Sequence, residues 1–209
     1  MSDELLDVIE PTGSLIGTAR RADVHVQGLW HQSFHCLMVR TGQPAKVVLQ
    51  RRRLDARGFP GFLDLTATGH LAAGESPFDG RRELLEEVGI DVDPSALVPL
   101  GRRLLADDLG EGRNREVMHV FLFADDRPFD AIPITDGDAE SVVELLVDDL
   151  LAVLADQSAT VMATEWDGRS PVRTIPVTGA DLVPSSDGYW TVIAVMAARF
   201  AAGEIPLAI

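Results

Sequence analysis

Runs of apolar residues separated by turn-forming residues dominate the first third of the chain. Short alternating runs flank a Pro-Thr-Gly turn in LLDVIEPTGSLIGTARR, and longer, more apolar runs flank residues 41–44 in SFHCLMVRTGQPAKVVLQRR. Such runs, bounded by Gly and Pro, are typical of β-strands joined as hairpins. The pattern therefore predicts an N-terminal β-hairpin followed by a second hairpin with more buried strands.

The rest of the apolar pattern predicts further strands and helices. GFLDLTATG predicts one strand, and the nearly continuous run EVMHVFLFA predicts a strand buried on both faces. SVVELLVDDLLAVLA predicts a strand near residues 142–147 and a helix after Asp148, whereas Trp190, Ile193 and Met196 recur at helical spacing. Together with the helix described below, this order predicts an α+β or α/β sandwich of helices on a mixed sheet.

The composition changes after about residue 156, and this change indicates how the chain is divided. Residues 156–188 are rich in loops and contain Pro and Gly at short intervals. A chain of 209 residues is long enough for one domain with a sizeable core. We predict a domain at residues 1–155, which includes the N-terminal hairpin, and an extension at residues 156–209 that packs on the same domain.

The charge balance narrows the classes of partner. With 18 basic and 33 acidic residues the net charge is −15, which argues against a nucleic-acid binder and suits a protein that concentrates divalent cations. The single cysteine, Cys36, cannot form an internal disulfide, which is compatible with a reducing compartment. An acidic start and the lack of about eighteen consecutive apolar residues argue against a signal peptide and a membrane span. We expect a cytoplasmic protein without a membrane partner.

Residues 69–90, GHLAAGESPFDGRRELLEEVGI, predict a helix with marked ends. Ser76 is a candidate N-cap and Pro77 a candidate first helical residue, with Asp79 close to the positive end of the helix dipole. Gly89 is a natural stop, because glycine adopts the left-handed conformation that ends many helices.

Three glutamates share one face of this predicted helix. Glu83, Glu86 and Glu87 stand at i, i+3 and i+4, whereas Leu84 and Val88 lie on another face and can be buried. Like charges at this spacing cost about 0.2–0.5 kcal/mol per pair, and a bound Mg²⁺ removes that repulsion because it prefers clustered oxygen ligands. The alternative is a solvated acidic face, which is the usual meaning of a charge run.

The spacing resembles the Nudix box, Gly-x5-Glu-x7-Arg-Glu-U-x-Glu-Glu-x-Gly-U, where U is a bulky aliphatic residue. The matching residues are Gly69, Glu75, Arg82, Glu83, Leu84, Glu86, Glu87, Gly89 and Ile90. One departure is that only six residues separate Glu75 from Arg82, where the box has seven. The helix after Arg82 keeps its register, so the departure affects the contact between Glu75 and the helix.

The resemblance implies an α/β/α sandwich that binds Mg²⁺, with Mn²⁺ as a substitute, and hydrolyses diphosphates linked to another group. Carried over, Glu86 and Glu87 are the principal metal ligands, Glu83 is a ligand or base, and the Thr68 carbonyl is a further ligand. Glu140 lies where some Nudix hydrolases place a catalytic base. The motif residues expected to be structural are Gly69, Glu75, Arg82 and Gly89.

A wider resemblance, to the isopentenyl-diphosphate-isomerase-like branch of the family, covers most of the first 155 residues. It is found in LLDVIEPTGSLIGTARRADVH, GLWHQSFHCLMV, VLQRRRLDARGFPGFLDLTATGH and NREVMHVFLF. The isomerases hold a second divalent metal with histidines and two glutamates. Here His25, His31, His70 and Glu116 stand at corresponding places, and Asn114 replaces the other glutamate.

The same resemblance implies substrate contacts. Arg52 and Arg57 are similar to the basic residues that grip the diphosphate, a task suited to a bidentate guanidinium. His31 is a candidate for the second metal or for substrate binding, and the alternative is a partly buried imidazole. For both arginines the alternative is a solvated charge.

One departure favours hydrolysis over isomerisation. Thr68 occupies the position of the catalytic cysteine of the isomerases, and Cys36 lies in an apolar strand where a buried structural thiol is expected. We therefore predict hydrolysis of a small organic or nucleoside diphosphate derivative. Isomerisation of a prenyl diphosphate and non-catalytic sensing of a diphosphate ligand are the alternatives, and the oligomeric state, including a homodimer, is left open.

Overall fold

The computed structural model describes residues 4–56, 58–108, 113–135, 137 and 139–209. Helices and strands follow one another in an order that starts and ends outside the central sheet. They are β1 (Leu5–Ile9), β2 (Leu15–Arg20), α1 (Arg21–Gln27), β3 (His31–Arg40), β4 (Lys46–Arg52), β5 (Leu63–Asp64), β6 (Ala67–His70), α2 (Arg82–Val88), β7 (Val98–Asp107), β8 (Asn114–Ala124), β9 (Ala139–Leu146), α3 (Val147–Ala155), β10 (Thr160–Trp166), β11 (Arg173–Thr178) and α4 (Tyr189–Ala201).

A mixed sheet forms the middle layer of the molecule. Within the described residues its strand order is β11-β10-β9-β4-β3-β8-β7, with β5 beside β4 and β6 beside β3. The β3 and β8 strands are parallel, in a register from His31↔Glu116 to Val39↔Ala124. The other described strand pairs of this sheet are antiparallel.

Apolar clusters cover both faces of the sheet. Alternate residues of β3 enter different clusters, since Leu37 packs with residues of α3 and α4, such as Leu150 and Ile193, while Cys36 packs with Leu84 of α2. Helices therefore lie on both sides of the sheet, which is the predicted α/β/α sandwich. Cys36 is buried and free, as predicted.

The N-terminal hairpin is present, and β1 pairs with β2 from Leu5↔Arg20 onward. A bridge from Leu6 to Ala72 joins the hairpin to the segment that follows β6. The short helix α1, which the apolar pattern does not predict, follows the hairpin. It buries Val24 and ends at Gly28, whose φ of 67° is left-handed.

Several strands differ from the sequence prediction. GFLDLTATG forms two short strands that pair with different neighbours, β5 with β4 and β6 with β3. Between them the hydroxyl of Thr66 donates to the carbonyl of Val48 and accepts from the backbone N–H of Met38 at 2.7 Å. The β7 strand was not predicted. The loop-rich extension contributes β10 and β11, and Pro176 is tolerated because β11 lies at the sheet edge.

The extension shares the central sheet with the predicted domain, since Trp166 of β10 pairs with Val142 of β9. Its helix α4 packs on the cluster that contains α3, and Nε1 of Trp190 donates to the carbonyl of Val183 at 2.8 Å. No helix in the described ranges has the length and apolar character needed to cross a membrane. The boundary at residue 155 stays a prediction.

Candidate active site

The helix that holds the three glutamates starts later than predicted. A 3₁₀ turn at Asp79–Arg81 precedes α2, which begins at Arg82. The backbone N–H and the hydroxyl of Ser76 donate to Oδ2 of Asp79 at 2.8 and 2.7 Å, so Ser76 ties a turn and does not cap the helix. The prediction that the helix starts at Ser76 and Pro77 was wrong.

Close packing explains the late start. A Cβ added at Gly80 would lie 2.4 Å from Cβ of Phe34 and 2.8 Å from a methyl carbon of Leu71, so the chain passes against β3 at this turn. Gly89 ends the helix as predicted, with a left-handed φ of 61°.

The three glutamates differ in exposure. Glu87 is 3% and Glu83 9% exposed, whereas Glu86 is exposed. Glu87 accepts hydrogen bonds from the Gln50 amide at 2.8 Å and from the Thr68 backbone N–H at 3.1 Å. The helix therefore presents two buried carboxylates towards β6 and one carboxylate to solvent.

Burial changes the protonation of this pair. It raises the pKa of Glu83 to about 7, outweighing the neighbouring Arg82 charge. Burial and the charge of Glu83 raise the pKa of Glu87 well above its usual value, although hydrogen bonds from Gln50 and Thr68 oppose the shift. Both carboxylates would gain stability from a nearby positive charge.

The shortened box keeps its internal ion pair. Nε of Arg82 lies 2.8 Å from Glu75, and Nη2 donates to the His70 carbonyl at 2.8 Å. The carboxylate of Glu75 also accepts from the backbone N–H of Ala72 at 2.7 Å. Gly69 is required by packing, because a Cβ there would lie 2.2 Å from the Glu83 carboxylate carbon.

A second group of potential ligands adjoins the glutamates. His25, His31 and His70 each offer a ring nitrogen within 4.8 Å of the others. Oε1 of Glu116 lies 3.5 Å from Nε2 of both His31 and His70. These two nitrogens and Oδ1 of Asn114 are buried without a hydrogen-bond partner among the described residues. Unpaired buried acceptors of this kind fit a metal ion.

The lowered pKa of His25 and the orientation of His31 also suit a bound metal ion. Burial, followed by the charges of His70 and His31, lowers the pKa of His25 to about 4, so its neutral form can act as a ligand at neutral pH. Nδ1 of His31 lies 3.0 Å from the carbonyl of Leu29, which orients the ring and leaves Nε2 for coordination.

Both groups open into one cleft of about 1120 Å³. Its lining includes Glu83, Glu86 and Glu87 from α2, His70 from β6 and Glu116 from β8. Further lining residues come from β3, β7 and the segment at 183–190. The cleft is thus acidic near α2, whereas these other elements add polar, charged and apolar side chains.

Arg103 of β7 connects the sheet to the extension at this cleft. Its guanidinium donates to both carboxylate oxygens of Asp187 at 2.7 and 2.9 Å. The guanidinium carbon lies 4.2 Å from the ring centroid of Tyr189. The Tyr189 hydroxyl in turn lies 3.3 Å from Nδ1 of His35. These contacts fix the position of the extension over the cleft.

The sequence profile described as the NUDIX domain matches residues 29–164, which is most of the chain. The chain belongs to the Nudix family. The predicted family and enzyme class are therefore confirmed.

Relatives and a solved structure agree with this assignment. An uncharacterized Nudix hydrolase of Clostridium acetobutylicum is 29% identical over 92% of this chain and 96% of its own length. An isopentenyl-diphosphate Delta-isomerase of Cutibacterium acnes is 35% identical over 44% of this chain and 46% of its own. The crystal structure of a Deinococcus radiodurans protein, at 21% identity, covers 73% of this chain and 89% of that one with a TM-score of 0.56, which confirms the fold.

Not every predicted site residue of this Nudix protein reaches the cleft. Glu140 is exposed on β9 and does not line the cleft. His31 has no exposed surface, so its place among the histidines fits a ligand better than a substrate contact. Arg52 lines the cleft, where it donates to the Gly58 carbonyl at 2.8 Å. Arg57 lies outside the described residues.

Sequence reasoning missed several residues of the site. Gln50, which binds Glu87, is fully buried on β4, and a polar residue in the apolar run VVLQ was the available signal. Ser33, Arg103 and Tyr189 also line the cleft. The sequence around Arg103 and Tyr189 gives no local sign that they meet.

Proposed function

We propose that this Nudix protein is a Mg²⁺-dependent hydrolase that cleaves the diphosphate linkage of a small organic or nucleoside diphosphate derivative, with Mn²⁺ as a substitute. The observation that supports it most is the pair of buried carboxylates, Glu83 and Glu87, whose pKa values are raised at the edge of an open cleft. A protein with no use for a cation gains nothing by burying such a pair.

The residues proposed to hold the cation are Glu83, Glu86, Glu87 and the Thr68 carbonyl. A second cation would be held by His25, His31, His70 and Glu116. When bound, a divalent cation neutralises phosphate oxygens and lowers the pKa of a coordinated water.

The protein's own groups position this machinery. Gln50 and the Thr68 N–H hold one oxygen of Glu87 in place. Arg82 ties Glu75 to the His70 carbonyl, so the glutamates and histidines keep a common frame. Glu83 is proposed as a ligand or as the base, and in the metal-free protein burial raises its pKa to about 7, a value suited to accepting a proton near neutral pH.

We propose that the substrate's phosphates lie beside Arg52. Its guanidinium lies 3.4 Å from Asp64 and is mostly buried, so the side chain is already held in position before a ligand binds. Arg57 remains part of the proposal on sequence grounds, as does Glu140. The cytoplasmic location and the absence of nucleic-acid partners remain proposals based on charge.

Isomerisation of a prenyl diphosphate is the second candidate, and the histidine cluster favours it because it resembles the isomerase metal site. Thr68 opposes it, since a threonine hydroxyl is a far weaker acid and nucleophile than a cysteine thiol. An isomerase would convert the hydrocarbon without releasing phosphate.

A screen of nucleoside diphosphates, sugar nucleotides, dinucleotides and prenyl diphosphates, scored by product mass with Mg²⁺, tests the proposal. We expect hydrolysis products from at least one class. Glu87→Gln and Glu86→Gln should each lower turnover at least about 100-fold, more than loss of an outer hydrogen bond to a metal ligand. Glu204→Gln, an exposed carboxylate that does not line the cleft, serves as the comparison. Isomerised products with no phosphate released, or full activity in both variants, would contradict hydrolysis by this face.

A further inference from the structure

The cleft contains a buried hydroxyl that the proposed hydrolysis does not use. Ser33 is 3% exposed and lines the cleft. Its Oγ has no hydrogen-bond partner among the described residues. Leaving a buried polar atom unpaired is costly, and native proteins do it rarely unless a ligand or water completes the contact.

Two further polar groups line the same cleft as this hydroxyl. His35 stands two residues after Ser33 on β3, so both side chains face the same side of the sheet. The Tyr189 hydroxyl lies 3.3 Å from Nδ1 of His35, and both residues line the cleft. We call Ser33, His35 and Tyr189 the polar floor.

The extension holds the polar floor rigid. The guanidinium of Arg103 lies 4.2 Å from the Tyr189 ring centroid and is anchored by Asp187 and by Ser185 at 3.3 Å. One face of the ring is therefore already covered, which leaves the hydroxyl edge as the part of Tyr189 suited to ligand recognition. Groups fixed in advance bind with a smaller loss of entropy.

We propose that the polar floor binds hydroxyl groups of the organic moiety attached to the diphosphate, so that this protein prefers sugar-bearing diphosphates to hydrocarbon ones. This proposal rests on the proposed hydrolase function. A sugar hydroxyl donates and accepts at once, and can therefore pair with the unpaired Ser33 oxygen and with Tyr189. A hydrocarbon chain would leave the Ser33 hydroxyl buried and unpaired, and such sites reject ligands that lack the matching hydroxyl.

The first test compares kcat/KM for ADP-ribose and UDP-glucose with kcat/KM for dimethylallyl diphosphate. We expect the wild-type protein to prefer the sugar-bearing compounds. Ser33→Ala and Tyr189→Phe each remove one hydroxyl, and each should lower the ratio of sugar-bearing to hydrocarbon kcat/KM by about 10-fold, through KM. Ser158→Ala, in an exposed turn that does not line the cleft, should not change the ratio.

The second test separates this proposal from the proposed function. Tyr189 is the only tyrosine of the chain, so ¹³C-tyrosine labelling gives one ring signal that reports on the polar floor. In Glu87→Gln, titration with ADP-ribose should shift that signal, and Ser33→Ala should weaken the binding about 10-fold. If the Tyr189 signal shifts but the wild-type protein turns over no substrate, the result would contradict the hydrolase function and would support the proposed role of the polar floor in binding.

Three results would overturn the proposal. The first is a preference of the wild-type protein for dimethylallyl diphosphate. The second is an equal loss for both substrate classes in Ser33→Ala and Tyr189→Phe. The third is a Tyr189 signal that does not respond to sugar-bearing ligands. Melting temperatures of both variants, compared with that of Ser158→Ala, show whether a loss comes from unfolding.

Discussion

Two walls of one cleft are built in opposite ways. The box wall comprises residues 68–87, and its ion pair from Arg82 to Glu75 spans 7 residues of sequence. The extension wall comprises Arg103 and residues 183–190, and its ion pair from Arg103 to Asp187 spans 84 residues. The box wall is therefore local in sequence, whereas the extension wall exists only in the folded protein.

The two walls also differ in electrostatics. The box wall buries carboxylates whose pKa values are raised, so it gains stability from an added cation. The extension wall contains an ion pair between Arg103 and Asp187. Burial alone would raise the pKa of Asp187, but hydrogen bonds from Arg103 and from the hydroxyl of Ser185 lower it to about 2. This difference suggests that the box wall serves a reaction common to all substrates and the extension wall selects among them.

The largest effect expected outside the glutamates themselves tests the box wall through Gln50. Gln50→Leu removes the amide that donates to Glu87 at 2.8 Å, so Glu87 is no longer held for a cation. Loss of such an outer partner typically weakens metal binding about 10–100-fold. We expect this loss in Mn²⁺ affinity, measured by electron paramagnetic resonance, and a similar fall in kcat for every substrate.

Gln32→Leu is the matched control for Gln50→Leu. Gln32 accepts from His119 at 2.8 Å and does not line the cleft, so the same substitution there should leave Mn²⁺ affinity unchanged. Equal Mn²⁺ affinity in the two variants would mean that Gln50 does not position Glu87.

The next effect tests how the shortened box is packed. Helix propensity alone favours Ala over Gly at position 80 by about 1 kcal/mol, but the new Cβ would lie 2.4 Å from Phe34. Overpacking of this kind costs about 1–3 kcal/mol, so Gly80→Ala should lower the free energy of unfolding. Denaturant unfolding beside Gly17→Ala, where a Cβ meets nothing within 4 Å, measures it. Stabilisation by Gly80→Ala would show that the turn is not tightly packed.

A smaller effect tests the protonation of the box wall. The folded-state pKa of Glu83 is about 7, above its ordinary value of 4.5. In the metal-free protein its contribution to stability is therefore fully present below pH 4.5 and lost as the pH rises through about 7. Cation binding needs the deprotonated carboxylates, so Mg²⁺ should raise the melting temperature more at pH 8 than at pH 5.5. Each kcal/mol that Mg²⁺ adds to the free energy of unfolding should raise the melting temperature by roughly 2–4 °C.

Glu83→Gln should reduce the pH dependence of this Mg²⁺ effect. A rise in melting temperature that is the same at both pH values in the wild-type protein would argue that Glu83 is already ionised in the metal-free state.

These contrasts explain how much of the box wall could be predicted. The shared face of Glu83 and Glu87 and the stop at Gly89 follow from spacing within one short segment. The missing residue led us to expect a changed contact between Glu75 and the helix, yet the Arg82–Glu75 ion pair is kept. The start of the helix does not, because it depends on packing of Gly80 against Phe34, which is distant in sequence. Residue spacing within a segment predicts the geometry of that segment. It does not predict a feature, such as the start of this helix, that depends on packing against a residue distant in sequence.

The extension wall shows the complementary limit. Pro and Gly in the extension indicated loops, yet β10 and β11 complete the sheet. Pro176 does not prevent this, because β11 is an edge strand and edge strands tolerate proline. The contact of Tyr189 with His35 spans 154 residues, and no spacing rule within the chain connects them. The residues proposed to select the substrate were therefore the ones that sequence reasoning could not find.

The smallest effect tests whether the two walls act separately. Asp187→Asn removes one charge from the Arg103 pair, in which Asp187 is 43% exposed. Exposed pairs contribute about 0.2–1 kcal/mol, so KM for a sugar-bearing substrate should rise by at most about 5-fold, while kcat and Mn²⁺ affinity stay constant. Glu204→Gln, which breaks the exposed Arg199–Glu204 pair outside the cleft, should leave KM unchanged. A change in Mn²⁺ affinity in Asp187→Asn would mean that the walls are coupled, because the extension would then position the glutamates as well as the substrate.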